Sequence, residues 1–158
     1  MNFLSAYKNS LWRVPLIAFI AGIVYTPLYV ELVTRFGVIE PGVLDDKICL
    51  LTRAVLFLAV IFLGGILLLR KMTRKEILIS TAVVVLYGAL VSILQLAVGN
   101  SNGPVSVVLM YLHQPLDWTF TSSFAFYLHD HYGVHADWLG CLSYAEPFLF
   151  VLFGRRER

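Results

Sequence analysis

Long apolar runs separated by short polar stretches dominate this chain. A hydrocarbon core about 30 Å thick needs about 20 consecutive helical residues, and four runs approach or reach that length. The first run follows a weakly basic start but is too long for a signal peptide, so we expect a retained helix. The pattern predicts transmembrane helices over approximately residues 12–33, 48–69, 77–98 and 138–153.

Basic residues bracket these runs in a consistent order. One cluster separates the second run from the third, and another follows the fourth: Arg70, Lys71, Arg74, Lys75, Arg155, Arg156 and Arg158. Cytoplasmic loops carry an excess of Lys and Arg. The distribution predicts an integral membrane protein with both termini in the cytoplasm. The basic loops are typical of a protein of the bacterial cytoplasmic membrane.

Residues 104–128 decide the number of crossings. This stretch is apolar, but His113, Pro115 and Asp117 interrupt it. A fifth crossing here would place the C-terminal arginines outside, against the distribution of positive charge. We therefore predict an all-α membrane protein, a four-helix transmembrane bundle with an additional re-entrant or interfacial segment over 104–128. Five transmembrane helices are the alternative.

The composition argues against a soluble protein and against a nucleic-acid-binding protein. The chain is 59% hydrophobic and 14% charged, whereas a soluble domain carries about 25% charged residues. Residues 1–158 therefore form a single membrane domain without room for a soluble one. The net charge of +2 comes from the clusters at helix ends, so no nucleic-acid partner is expected.

Four glycines predict close packing of the helices: Gly22, Gly64, Gly65 and Gly88. The expected partners are membrane lipids and copies of the chain or a larger complex.

Polar residues within the apolar segments are the candidates for a binding or transport site. On the four-crossing topology five of them lie toward the outer half of the membrane, and Glu146 lies near its middle: Glu31, Arg53, Gln95, His113, Asp117 and Glu146. An ionisable group at membrane depth is a functional-site hypothesis by default. Arg53 is a candidate for an ion pair with Glu31 or Glu146, or for holding a phosphate or carboxylate.

The histidines offer a second kind of chemistry. His129, His131 and His135 lie close together with Asp137, and imidazole with carboxylate suits Zn²⁺ or a similar metal. A solvated, pH-sensitive loop is the alternative interpretation. The sequence identifies no cofactor. Cys49 and Cys141 have no C-x-x-C spacing, although a disulfide between them is conceivable outside a reducing cytosol.

Asp117 and Asp137 are candidates for a catalytic carboxylate pair, in which one protonated and one ionised group activate water. The order Gly99-Asn100, Asp117, Ala136-Asp137 resembles the motif order of lipoprotein signal peptidases, which are four-helix membrane aspartic proteases. That resemblance covers the last third of the chain. It lacks the Asp-Arg expected after Gly-Asn, and Gly133 and Val134 stand where phenylalanine and asparagine are expected.

Three functional classes follow. We expect a non-enzymatic accessory or scaffold subunit of a membrane complex, because the sequence has no complete catalytic motif. The alternative is a small oligomeric transporter, channel or lipid-binding carrier with an outward-facing polar site. The second alternative is a membrane hydrolase that uses the Asp pair or a His-bound metal.

Overall fold

The computed structural model describes residues 11–40, 43–98, 103–135 and 137–155, with the backbone alone for 38–40, 43, 44 and 137. Three long helices carry the fold: α1 (Arg13–Phe36), α2 (Asp46–Gly64, continued by a π-helical turn, Gly65–Leu69) and α3 (Arg74–Val98). Each is long and apolar enough to cross a membrane, and only 22–33% of each spanning window is buried. Large apolar side chains therefore cover the outer surface of the protein, as in a helical membrane protein.

A short hairpin connects α1 to α2. Its strands, β1 (Val38–Glu40) and β2 (Val43–Leu44), pair antiparallel. Asp45 then begins α2 by accepting hydrogen bonds from the backbone N–H groups of Lys47 and Ile48, at 2.8 and 3.2 Å. An N-cap of this kind satisfies donors that have no partner inside the helix, which explains why α2 begins two residues earlier than the hydropathy pattern predicts.

The stretch predicted over 104–128 folds back on itself. It consists of α4 (Pro104–His113), a 3-10 turn (Gln114–Leu116) and α5 (Thr121–Tyr132). The Tyr87 hydroxyl donates to the Leu112 carbonyl at 2.7 Å, so α4 runs back along α3. The 3-10 turn packs against Gly22 and Gly88, near the middles of α1 and α3. We call this unit the internal hairpin (104–132).

The last apolar run is not one continuous α-helix. Helix α6 (Asp137–Leu142) is followed by a turn and then by a C-terminal 3-10 helix (Glu146–Phe153). Pro147 lies in the first turn of the second piece, and proline is tolerated there because that N–H has no partner inside the helix. A 3-10 helix rises about 2.0 Å per residue against about 1.5 Å for an α-helix, so the piece reaches further for its length. The prediction of a regular helix over 138–153 is thereby corrected.

Several basic residues lie together at one end of the bundle. The Arg155 N–H donates to the Met72 carbonyl at 2.9 Å, and the Arg74 N–H donates to the Arg155 carbonyl at 3.1 Å. Arg13 donates to the Leu68 carbonyl at 3.3 Å. The start of α1, the loop after α2 and the last described residue therefore lie together. We call this the basic end; the opposite end is where α1 and α3 end and α2 begins.

Glycines allow the close packing that the sequence predicts. A Cβ at Gly22 would lie 2.1 Å from the Gln114 carbonyl oxygen, and one at Gly65 would lie 2.4 Å from the Phe153 ring. Gly64 and Gly88 meet Phe150 and Leu116 in the same way. The prediction of close contacts at all four glycines is confirmed within the chain.

Candidate functional site

A polar cavity of about 500 Å³ lies between the internal hairpin and the halves of α1 and α2 nearest the opposite end. The 3-10 turn lines it through Leu116, and the residues just after that turn line it through Thr119. The remaining lining is polar or small, apart from the tyrosine rings: Tyr25, Thr26, Tyr29, Arg53, His113, Asp117, Ser122, Ser123, Gly140, Ser143 and Tyr144. Three of the six predicted binding residues, Arg53, His113 and Asp117, therefore meet around one space.

Arg53 is the positive charge in this lining. It lies seven residues into α2, about 10 Å from the start of the helix at the α-helical rise. Its guanidinium donates to the Ser123 hydroxyl at 2.8 Å and stacks over the Tyr29 ring, with Cζ 4.3 Å from the centroid. Within the described ranges no carboxylate forms a salt bridge with it. Neither of the ion pairs considered for Arg53 is formed.

His113 and Asp117 form the other charged element. They lie one helical turn apart, with Nδ1 and Oδ1 separated by 3.3 Å. Both side chains are about one-third exposed, at 30% and 38%. A carboxylate on Nδ1 fixes the imidazole tautomer and leaves Nε2 as a proton acceptor. The pair thus presents an oriented basic nitrogen beside the cavity.

Tyrosine hydroxyls add polar groups that the sequence analysis did not single out. Tyr25 is 4% exposed, and its hydroxyl has no hydrogen-bond partner among the described residues. Tyr144 is hydrogen-bonded to Ser92 of α3. Tyr25 and Tyr29 are four residues apart, so they share a face of α1. The four-residue spacing of the two tyrosines and the Ser122-Ser123 pair inside an apolar stretch are the sequence signals from which these polar groups could have been predicted.

Glu146 has a structural partner instead of a place in the cavity. The side chain is 7% exposed. Its Oε2 accepts from the Phe120 N–H at 2.7 Å, and its Oε1 accepts from the Thr121 N–H and hydroxyl, both at 2.6 Å. These are donors at the start of α5, where the helix dipole favours a negative group. Glu146 therefore caps α5 and fixes the internal hairpin to the C-terminal segment.

The other predicted site residues lie apart from the cavity. Glu31 is exposed and pairs with Arg35 on the same helix. Gln95 is half-buried near the end of α3 and is not among the lining residues. The side chain of Asp137 falls outside the described residues, so the proposed pairing of Asp117 with Asp137 stays a prediction.

The histidines of the metal hypothesis do not converge. His131 Nε2 lies 3.5 Å from Asp46 Oδ2, while the rings of His129 and His135 contact each other at 4.8 Å between centroids. Among the described residues, no group of three His, Cys, Asp or Glu side chains has the geometry to hold a metal ion. Cys49 and Cys141 are both free thiols.

A second space lies beside the polar cavity, toward the opposite end. This outer chamber of about 470 Å³ is lined by Asp46, Cys49, Asp130 and His131, and it shares Tyr29, Arg53, Ser122 and Ser123 with the cavity. Arg53 thus lies at the boundary between the two spaces.

Apart from one short β-hairpin, the described part of the chain is helical, and three of its helices are able to span a membrane. Its polar side chains converge beside Arg53 between the middle of the bundle and the opposite end. No protein-family model, no curated protein and no solved structure matches the sequence.

Proposed function

We propose that this protein is a membrane carrier or transporter that binds a small anionic group, a carboxylate or phosphate, in the polar cavity. The observation that carries this proposal is the position of Arg53, a cation in the cavity wall without a carboxylate partner in the described part of the chain. The ligand is a free anion or the anionic head of a lipid.

The energetics of Arg53 support an anionic ligand. A cation at membrane depth costs at least about 2.5–3.5 kcal/mol on insertion scales, and a serine hydroxyl with a tyrosine ring compensates only part of that penalty. Arginine offers five N–H donors in a planar fork that matches carboxylate and phosphate oxygens. Its one side-chain hydrogen bond among the described residues goes to Ser123, which leaves donors for a ligand.

The size and lining of the cavity also fit a small ligand. Ligand sites commonly enclose about 300–1,000 Å³, and this cavity of about 500 Å³ falls within that range. Its lining also carries hydroxyl groups, and those of Tyr25 and Ser122 are able to donate to the remaining ligand oxygens. Arg53 is the cation of the described lining. The Asp117 carboxylate is paired with His113, and the remaining polar groups are hydroxyls, an arrangement that suits a single anionic group.

Arg53 gives the direct test. We expect Arg53→Gln to weaken binding at least about tenfold, because a hydrogen bond to a charged group contributes about 1.5–3 kcal/mol. The probes are inorganic phosphate, acetate, sulfate and lysophosphatidic acid, titrated calorimetrically into protein in nanodiscs of neutral lipid. Binding of lysophosphatidic acid alone would identify a lipid head; binding of the free anions would identify a solute.

The matched control is Arg35→Gln. Arg35 is exposed and already paired with Glu31, so its loss should leave affinity unchanged. Equal weakening by both variants would show that only the general positive charge matters, and the site proposal would fail. Failure of all four probes to bind the unmodified protein would also contradict it.

The proposed membrane arrangement has four crossings, with the internal hairpin entering and leaving at the opposite end as a re-entrant segment. Arg155 lies beside the loop after α2, which supports a C-terminus on the same side as the basic cluster. By the positive-inside rule that side is the cytoplasm, and the cavity then faces outward. In a bacterium this would be the cytoplasmic membrane.

A reporter fused after Arg158 checks the orientation. We expect a reporter that works only in the cytoplasm to be active there and in a second fusion within the loop after α2, because both positions adjoin the basic end. The matched fusion in the loop between α3 and α4 should be inactive. Activity of a periplasmic reporter at the C-terminus, together with a cytoplasmic loop after α2, would require an odd number of crossings between the two positions and would reject the re-entrant arrangement.

The accessory or scaffold role in a membrane complex stays a prediction, as does assembly with copies of the chain. The cavity favours the carrier over this role because a scaffold has no need for a half-buried arginine in the wall of a polar cavity. Co-purification of one defined protein, with no anion binding, would reverse that preference.

A further inference from the structure

We propose that the cavity takes up a proton together with the anion, and that His113 is the proton acceptor. This inference rests on the proposed anion site. It adds a second substrate, the proton, and it makes the occupancy of the cavity dependent on the proton concentration on the side to which the cavity opens.

The geometry of the His113–Asp117 pair supports proton uptake at one defined atom. Asp117 Oδ1 lies 3.3 Å from Nδ1, so the carboxylate accepts the Nδ1 hydrogen and leaves Nε2 unprotonated in the neutral ring. His113 lines the cavity that contains Arg53. Protonation therefore places a second N–H donor and a second positive charge beside the space for the anion.

The charges around the cavity define how anion and proton interact. Arg53 contributes +1 and Asp117 contributes −1, so the lining is neutral when the His113 ring is neutral. Among the described side chains, α1 and the residues from 138 to 153 contribute tyrosine hydroxyls as their titratable groups in the lining, and α5 contributes serines. The neighbouring chamber adds the carboxylates of Asp46 and Asp130, which disfavour an anion, and the imidazole of His131.

An anion in a neutral, partly desolvated cavity leaves an uncompensated negative charge, and a proton on His113 neutralises it. Because free-energy coupling between two ligands is reciprocal, each makes the other bind more tightly. The anion-bound state holds more protons, so affinity rises as pH falls. Histidine is the side chain that changes charge between pH 5 and 8, and that is the window in which affinity should change.

Sulfate is the probe for this test because its charge stays constant over the window. We expect the Kd of the intact protein for sulfate to rise about tenfold or more between pH 5.5 and pH 8. Titrations in buffers of different ionisation enthalpy should show uptake of a fraction of a proton, up to one, per sulfate near neutral pH. In His113→Gln both the pH dependence and the proton uptake should disappear, with affinity held near the value found at high pH.

Two further variants separate this mechanism from a general effect of pH. His135→Asn removes an exposed histidine that is not part of the cavity lining, and it should keep the full dependence. Asp117→Asn removes the negative charge, so it should bind sulfate more tightly at pH 8 than the intact protein does. Because this variant keeps His113, it tests the charge balance even if His113→Gln fails to fold.

The outcomes distinguish this inference from the proposed function. Sulfate binding that depends on Arg53 but shows no pH dependence would overturn the proton site and leave the anion site intact. The same pH dependence in His113→Gln would assign the proton to another group. Absence of sulfate binding at every pH would overturn both proposals for this anion.

Discussion

Glu146→Ala is expected to lower the free energy of unfolding by about 2–5 kcal/mol, since each buried donor left without a partner costs about 1–3 kcal/mol. The carboxylate accepts from the N–H groups of Phe120 and Thr121 and from the Thr121 hydroxyl. Water cannot replace those contacts easily at a residue that is 7% exposed. Thermal or denaturant unfolding in detergent measures the loss.

A second substitution at the same residue separates hydrogen bonding from charge. Glu146→Gln keeps one acceptor oxygen but turns an N–H₂ group toward a backbone donor, so we expect a smaller loss of about 1–3 kcal/mol. Glu31→Gln is the matched control, because Glu31 is exposed and pairs on the surface with Arg35. Exposed pairs contribute about 0–1 kcal/mol, so this control should be nearly neutral.

The result also decides between two roles for Glu146. The sequence makes this carboxyl a candidate for a binding or transport site, in which case its amide would lose function while stability stays unchanged. The capping geometry predicts the opposite result, in which the amide lowers the free energy of unfolding. If Glu146→Ala unfolds at the same temperature as the unmodified protein, the capping role is rejected.

Gly22→Ala is expected to lower the free energy of unfolding, although helix propensity alone predicts that it would raise it. Alanine normally stabilises a helix interior by about 1 kcal/mol relative to glycine. Here the added Cβ would lie 2.1 Å from the Gln114 carbonyl oxygen and 2.6 Å from its carbonyl carbon. These are backbone atoms, so no rotation of a side chain relieves the contact. The internal hairpin must move, and overpacking of this kind costs about 1–3 kcal/mol.

The movement should also alter the cavity, because Leu116, His113 and Asp117 lie in or beside the displaced turn. We expect Gly22→Ala to weaken sulfate binding as well as stability. For stability the matched control is Gly140→Ala: Gly140 lies in α6, where an added Cβ meets no heavy atom within 4 Å. That variant should be neutral or slightly stabilising. Similar unfolding temperatures for both variants would show that the hairpin does not pack against α1 as described.

The sequence by itself determined the class of structure. Apolar runs of the length of a hydrocarbon core predicted α1, α2 and α3 to within three residues at most ends, because burial in lipid requires continuous apolar helix. Local signals also predicted the break at Pro115 and the close contacts at Gly22 and Gly65. These are properties of short segments, so no knowledge of distant partners is needed to read them.

The residues of the polar cavity could be predicted only in part from the sequence. Arg53, His113 and Asp117 were candidates because charges inside apolar runs are rare. Their convergence depends on how far the internal hairpin folds back, and that is set by contacts between residues far apart in the chain. Glu31 was a candidate on equal grounds, but a neighbour one helical turn away pairs with it.

Tertiary structure alone decided the role of Glu146 and the shape of the last segment. The partners of Glu146 are the N–H groups at the start of α5, 25 and 26 residues earlier in the chain. No periodicity marks such a pairing, because a backbone donor has no sequence signature. The C-terminal 3-10 helix has the same origin: apolar composition and Pro147 permit several helical forms, and the contacts along α3 select the extended one.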